Sequence, residues 1–126
     1  MLKVGIIGVG TVGASVAKIL KENSDIIEAR CGKKIVPIMG IVRDKSRDRG
    51  VDIPLSTDIN DVLENDEIDV AIELMGGVEE PFKVVKKALE KGKPVVTANK
   101  ALLAYHRYAL QDIAGLVPIG FEASVA

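Results

Sequence analysis

The segment that most restricts the fold of this chain is Lys3-Val4-Gly5-Ile6-Ile7, which runs directly into Gly8-Val9-Gly10-Thr11-Val12-Gly13. A short, almost unbroken aliphatic run is what a parallel strand covered on both faces requires. GxGxxG is a weak pattern by itself, but here it begins where that strand ends and it opens the next helix. In that place each glycine has its own task. Gly8 permits a tight turn, Gly10 lets backbone approach a diphosphate closely, and Gly13 lets the helix pack against the strand. The free N–H groups of the helix start, at Thr11 and Val12, then face the anion. The alternative at this point is a glycine turn that holds nothing.

The rest of the chain keeps the same rhythm. Val12, Val16, Ile19 and Leu20 recur at spacings of three and four, which predicts an amphipathic helix over residues 11–22. Residues 25–34 are polar and irregular. A second aliphatic run, 35–42, admits Pro37 only near its start or at an unpaired position, and a charged loop follows over 43–50. Asp58 or Asn60 can cap a short helix ending at Leu63. A third strand over 68–74 closes on Gly76 and Gly77. Pro81 suits the first turn of a helix that runs to Lys91, buries Val84, Val85, Ala88 and Leu89, and stops at Gly92. A fourth strand is predicted over 94–97, and then a helix over 101–114 with a possible break at His106 and an end at Gly115. Residues 118–121 supply a fifth strand. Alternating strands and helices predict an α/β fold: a Rossmann-type open parallel sheet with helices on both faces and right-handed crossovers.

Composition narrows the partners. At 126 residues the chain is one domain, and 17 Lys plus Arg against 18 Asp plus Glu leave a net charge of −1. Without a broad basic field, neither nucleic acid nor an anionic membrane is an expected partner. Aromatics at 3% argue against base-stacking platforms, and no apolar run reaches the ~20 residues of a membrane-spanning helix. The single cysteine, Cys31, excludes an internal disulfide and any multi-cysteine metal site, which fits a soluble protein of a reducing cytoplasm. A near-neutral chain can still hold a polyanion through backbone amides.

The glycine fingerprint is normally followed by an acidic residue about 20 positions on, at the end of the second strand, where it bonds the adenine ribose. Here Arg43 comes next, with Asp44 behind it and Lys45, Arg47 and Arg49 close by. A guanidinium fork suits a 2′-phosphate, so NADP is expected to be accepted at least as well as NAD. The other reading is a solvated charged loop with Asp44 reaching the ribose.

Four blocks, 3–13, Glu73-Leu74-Met75-Gly76-Gly77, Thr97-Ala98-Asn99-Lys100-Ala101-Leu102 and Phe121-Glu122-Ala123-Ser124-Val125-Ala126, together resemble homoserine dehydrogenase. The resemblance runs the whole length in order, and four blocks are far more specific than the glycines alone. It covers only the N-terminal nucleotide-binding domain of that family, so residues 1–126 are expected to be the front of an enzyme whose catalytic and dimerisation domain lies beyond them. It implies NAD(P)-dependent interconversion of L-homoserine and L-aspartate 4-semialdehyde, on the way to threonine, isoleucine and methionine, by a homodimeric enzyme. These residues alone are expected to bind cofactor without turnover.

The resemblance also implies roles. Gly76 and Gly77 bring bare backbone to the cofactor, or form a simple turn. Lys100 is the expected catalytic residue, its ammonium polarising the aldehyde oxygen or assisting proton transfer; otherwise it merely begins a helix. Thr97 and Asn99 line the same edge, and Asn99 either bonds the nicotinamide ribose or caps the following helix. The Glu122 carboxylate and the Val125 carbonyl match ligands of a monovalent cation, sodium in the complete enzyme. His106, the only histidine, is expected to have no chemical role.

Competing readings are a related amino-acid or semialdehyde dehydrogenase, a stand-alone NAD(P) redox sensor, and a structural α/β module. A semialdehyde dehydrogenase needs a catalytic cysteine late in the chain, and Cys31 comes too early. A sensor would carry an interaction segment, and a structural module would leave the fingerprint without purpose.

Overall fold

The computed structural model describes residues 2–9, 11–22, 24–43, 53–97, 99–115, 117 and 119–120. Strand β1 (Leu2–Ile7) can lie at the centre because both of its faces are apolar: Val4, Ile6 and Ile7 are no more than 2% exposed. Each such burial is worth roughly 1.5–3 kcal/mol. The chain continues through α1 (Thr11–Glu22), α2 (Ser24–Cys31), β2 (Ile35–Ile41), β3 (Leu55–Ser56), α3 (Asn60–Leu63) and β4 (Val70–Glu73). It then forms α4 (Glu79–Glu90), β5 (Val95–Thr97), α5 (Lys100–Ala114) and β6 (Ile119–Gly120).

All neighbouring strands are parallel, in the order β3-β2-β1-β4-β5-β6. The chain therefore walks outward from β1 to β3, then returns to lay β4 on the other side of β1. Lys3 N–H donates to the Asp69 carboxylate at 2.8 Å across that junction. At the carboxyl ends of β1 and β4 the connections leave in opposite directions, which opens a crevice there. Ile6, Val9, Ala17 and Val42 form a core beneath α1, while Ile7 joins Val62, Val84, Val85, Leu102 and Leu110 on the opposite face beneath α3, α4 and α5. Helices cover both faces, as the sequence predicts.

Four details differ from expectation. The sheet has six strands, because β3 pairs Leu55 and Ser56 with Gly40 and Ile41. Two residues carry no periodicity to read. Residues 24–31 are helical, although Ile26 and Ile27 are adjacent and Ile26 is 57% exposed. The available signal was at its end, where Gly32 takes φ 75° and its N–H bonds the Glu28 carbonyl at 2.9 Å. Among the described positions of α1, Gly13 and Ala17 are buried and Val16 packs partly against the core, while Ile19 is 53% exposed. The side chains that let the helix approach are the small ones. Finally, α5 is unbroken, and the His106 ring stacks on Phe82 of α4 with centroids 4.0 Å apart.

The signals at Pro37, Pro81 and Gly92 are realised as read. Pro37 lies where the β1–β2 register shifts. Pro81 is buried in the first turn of α4, and Gly92 at φ 77° ends that helix, with Gly92 N–H to Leu89 and Lys93 N–H to Ala88 closing its last carbonyls.

Candidate functional site

The crevice is built on glycine at β1. Gly8 has φ 99°, and a Cβ there would lie 3.0 Å from the carbonyl of Leu74 and the nitrogen of Met75. Its turn is pinned from both sides: Gly8 and Val9 N–H groups bond the Ile41 carbonyl at 3.0 Å, and Leu74 N–H bonds Ile7 at 2.9 Å. A Cβ on Gly13 would run into the Gly8 carbonyl oxygen and lie 3.6 Å from Ile6 Cγ2. The absence of that carbon is what lets α1 start directly over the end of β1. Its first N–H groups have no partner within the helix and carry the positive end of its dipole. Thr11 and Val12 contribute this backbone; their side chains, and all of Gly10, lie outside the described residues.

Arg43 follows β2 by two positions and is exposed. Lys45 lies outside the described residues, as do Asp44, Arg47 and Arg49.

On the other side of the crevice, β4 and β5 end in a hydrogen-bonded network. Alternation along β4 puts Glu73 on the same face as Ala71, within the apolar layer, and both Glu73 and Thr97 are 0% exposed. Glu73 Oε1 accepts from the Thr97 hydroxyl at 2.6 Å, and Oε2 accepts from Met75 N–H at 2.6 Å. Thr97 Oγ1 accepts in turn from Asn99 N–H at 3.1 Å. Asn99 Oδ1 accepts from Leu102 N–H at 2.9 Å, while its Nδ2 donates to the Gly77 carbonyl at 2.8 Å and the Met75 carbonyl at 3.4 Å. Of the two sequence alternatives for Asn99, the capping one is seen. Thr97 lies beneath the edge, with its hydroxyl bonded to Glu73.

Gly76 and Gly77 are exposed at this edge, and a Cβ on either would meet nothing within 4 Å. Gly77 has φ 86°, which favours glycine. Lys100 is the first residue of α5; its side chain lies outside the described residues, as do Glu122 and Val125 entirely. Among the described residues no group of three or more His, Cys, Asp or Glu could hold a metal ion, and no helix is long and apolar enough to cross a membrane.

Glu73 is the residue that sequence reasoning passed over as one letter of a block. Its signal was a carboxylate closing an otherwise aliphatic strand. Burial raises this carboxyl above the usual carboxylate range, and hydrogen bonds from Thr97 and Met75 draw it part of the way back. The folded state therefore holds the proton more tightly than the unfolded chain does. The stabilisation from the protonated form is complete below the ordinary carboxylate range and is lost as pH rises through the raised value. Thermal unfolding across a pH series is expected to show Glu73→Gln losing less stability over that interval than the unaltered chain; parallel curves would dismiss the assignment.

A doubly wound, all-parallel sheet with a glycine turn at its point of reversal defines a Rossmann-type domain. Residues 8–116 match the family described as "Homoserine dehydrogenase, NAD binding domain", and the chain belongs to that family. It is 51% identical to the homoserine dehydrogenase of Helicobacter pylori over 98% of its own length. The chain spans about 30% of the length of that relative. A homoserine dehydrogenase structure from Thiobacillus denitrificans matches 98% of this chain and 30% of its own, at 35% identity and TM-score 0.91. One from S. aureus, at pH 7.5, matches 99% of this chain and 34% of its own, at 42% identity and TM-score 0.87.

Proposed function

We propose that these residues form the cofactor-binding part of a homoserine dehydrogenase, taking NADP or NAD across the carboxyl ends of the sheet. The observation that carries the reading is Gly13 seated against the Gly8 carbonyl, which puts the first-turn N–H groups of α1 at the crevice between β1 and β4. Gly8, Gly10, Thr11, Val12 and Gly13 would hold the diphosphate. Arg43 and Lys45 would hold the adenine-side phosphate. Gly76, Gly77, Thr97, Asn99 and Lys100 would border the nicotinamide half. When bound, the nicotinamide supplies the hydride acceptor or donor. Lys100, at the start of α5, would hold its ammonium toward the substrate oxygen and move a proton there.

Membership of the family supports the finer parts of the proposal. The substrate pair is L-homoserine and L-aspartate 4-semialdehyde, in threonine, isoleucine and methionine biosynthesis in the cytoplasm. In the whole enzyme, a homodimer, Glu122 and the Val125 carbonyl help to hold a sodium ion. Positioning both reactants can account for roughly 7–11 kcal/mol of a barrier, and residues 1–126 would supply only the cofactor's share of it.

Titrating the chain with NADPH and NADH tests the reading. NADPH is expected to bind at least as tightly as NADH. Arg43→Ala should weaken NADPH by about tenfold or more, as loss of a charge-assisted bond implies, and leave NADH nearly unchanged. Tighter NADH binding that ignores Arg43→Ala removes the NADP part, and failure to bind either removes the whole reading. Homoserine oxidation by these residues alone is expected to be undetectable.

A further inference from the structure

Dinucleotides lie across the reversal point of such a sheet, with one half over β2 and the other over β4 and β5. The β2 side ends at an exposed Arg43. The β4–β5 side is organised by a carboxyl group with no solvent exposure, buried in an apolar layer where a hydrophobic side chain would pack at no electrostatic cost. Each Glu73 oxygen is used, one by the turn that leads to Gly77 and one by the turn that leads to Lys100. Asn99 then crosses back from the second turn to the Met75 and Gly77 carbonyls of the first, and caps α5 at Leu102 with its other atom. The two turns have two independent links, one below the edge and one at its surface.

We propose that Glu73 is a positioning residue of the cofactor site: through Thr97 and the Met75 amide it locks the Gly76–Gly77 turn to the start of α5, and so sets the backbone edge that receives the nicotinamide half. It acts on the cofactor only through these turns. This rests on the cofactor reading above and assigns a function to a residue that reading does not use. Burial of an ionisable group beside a crevice agrees with such a role, since perturbed carboxyls gather at sites where geometry must be held.

The consequence is a split between the two halves of the ligand. ADP is the part of the adenine half that both cofactors share, without the 2′-phosphate of NADPH, and does not reach the β4–β5 edge. Glu73→Leu removes both acceptors at similar volume and is expected to weaken NADPH binding about tenfold, as loss of a buried two-bond link implies, with ADP affinity unchanged. Glu73→Gln keeps the reach and an acceptor for Met75 N–H, and it should restore most of the NADPH affinity. Should Glu73→Leu fail to fold, Thr97→Val breaks the link at its other end and should give the same split. Without ligand, hydrogen exchange at the Met75 and Asn99 amides should quicken in these variants while exchange at Leu110 does not.

Equal losses of NADPH and ADP, or unchanged NADPH binding with Glu73→Leu or Thr97→Val, would overturn the proposal and leave the cofactor reading standing. If the unaltered chain binds neither NADPH, NADH nor ADP, the cofactor reading fails and takes this one with it.

Discussion

A Gly13→Val chain is expected to lose cofactor binding by more than tenfold and to be less stable by about 1–3 kcal/mol, the usual range for overpacking a close contact. Replacing a helical glycine normally helps, by at most about 1 kcal/mol. Here the new carbon would meet the Gly8 carbonyl, which is backbone and cannot rotate away, with Ile6 behind it. The helix must back off from the end of β1. That movement carries the N–H groups of its first turn away from the place a diphosphate would take, so binding falls further than stability does. Calorimetric titration with NADPH beside urea unfolding separates the two losses. Affinity retained within threefold would show that the contact does not set the site.

Ile6→Ala should give the opposite pattern. Ile6 is 0% exposed at the centre of the sheet, between Val9, Ala17 and Val42. Truncating such a side chain removes its transfer energy and leaves a cavity, about 2–5 kcal/mol together. Against a total stability of roughly 5–15 kcal/mol, a substantial unfolded population at moderate temperature becomes plain in the unfolding curve. The molecules that remain folded keep the Gly8 turn, whose bonds are made by backbone. They are expected to bind NADPH with unaltered affinity, and stoichiometry falls with the folded fraction. A weaker intrinsic affinity would mean that the core beneath α1 transmits strain to the crevice.

How much of this was readable depended on which physical signals are local. Strand β1 and the glycines were plain, because aliphatic runs and φ-demanding turns leave their mark in consecutive residues. Gly92 and Gly115, at φ 77° and 57°, marked helix ends for the same reason. Strand β3 was not readable: its two residues are strand only because Gly40 and Ile41 lie beside them. The outer helix α2 was missed because it has no apolar stripe to announce it. At the site, sequence reading found Asn99 and named its capping role as one of two. It did not find Glu73, because that role depends on Thr97, 24 positions later, arriving at 2.6 Å. Contacts between the ends of separate strands leave no spacing rule in the chain.

The strand order also has a consequence for how the protein is made. The central strand leaves the ribosome well ahead of its partner on one side: Lys3 and Asp69, joined across the β1–β4 junction, are 66 positions apart. At roughly 5–20 residues per second, synthesis spans that interval in about 3–13 seconds. During this time β1 can pair with β2, but its other edge and the Ile7 face await β4 and the helices that follow. The nascent chain therefore presents a half-finished sheet, and the growing polypeptide is most vulnerable to association with other chains just before residues 70–73 leave the exit tunnel.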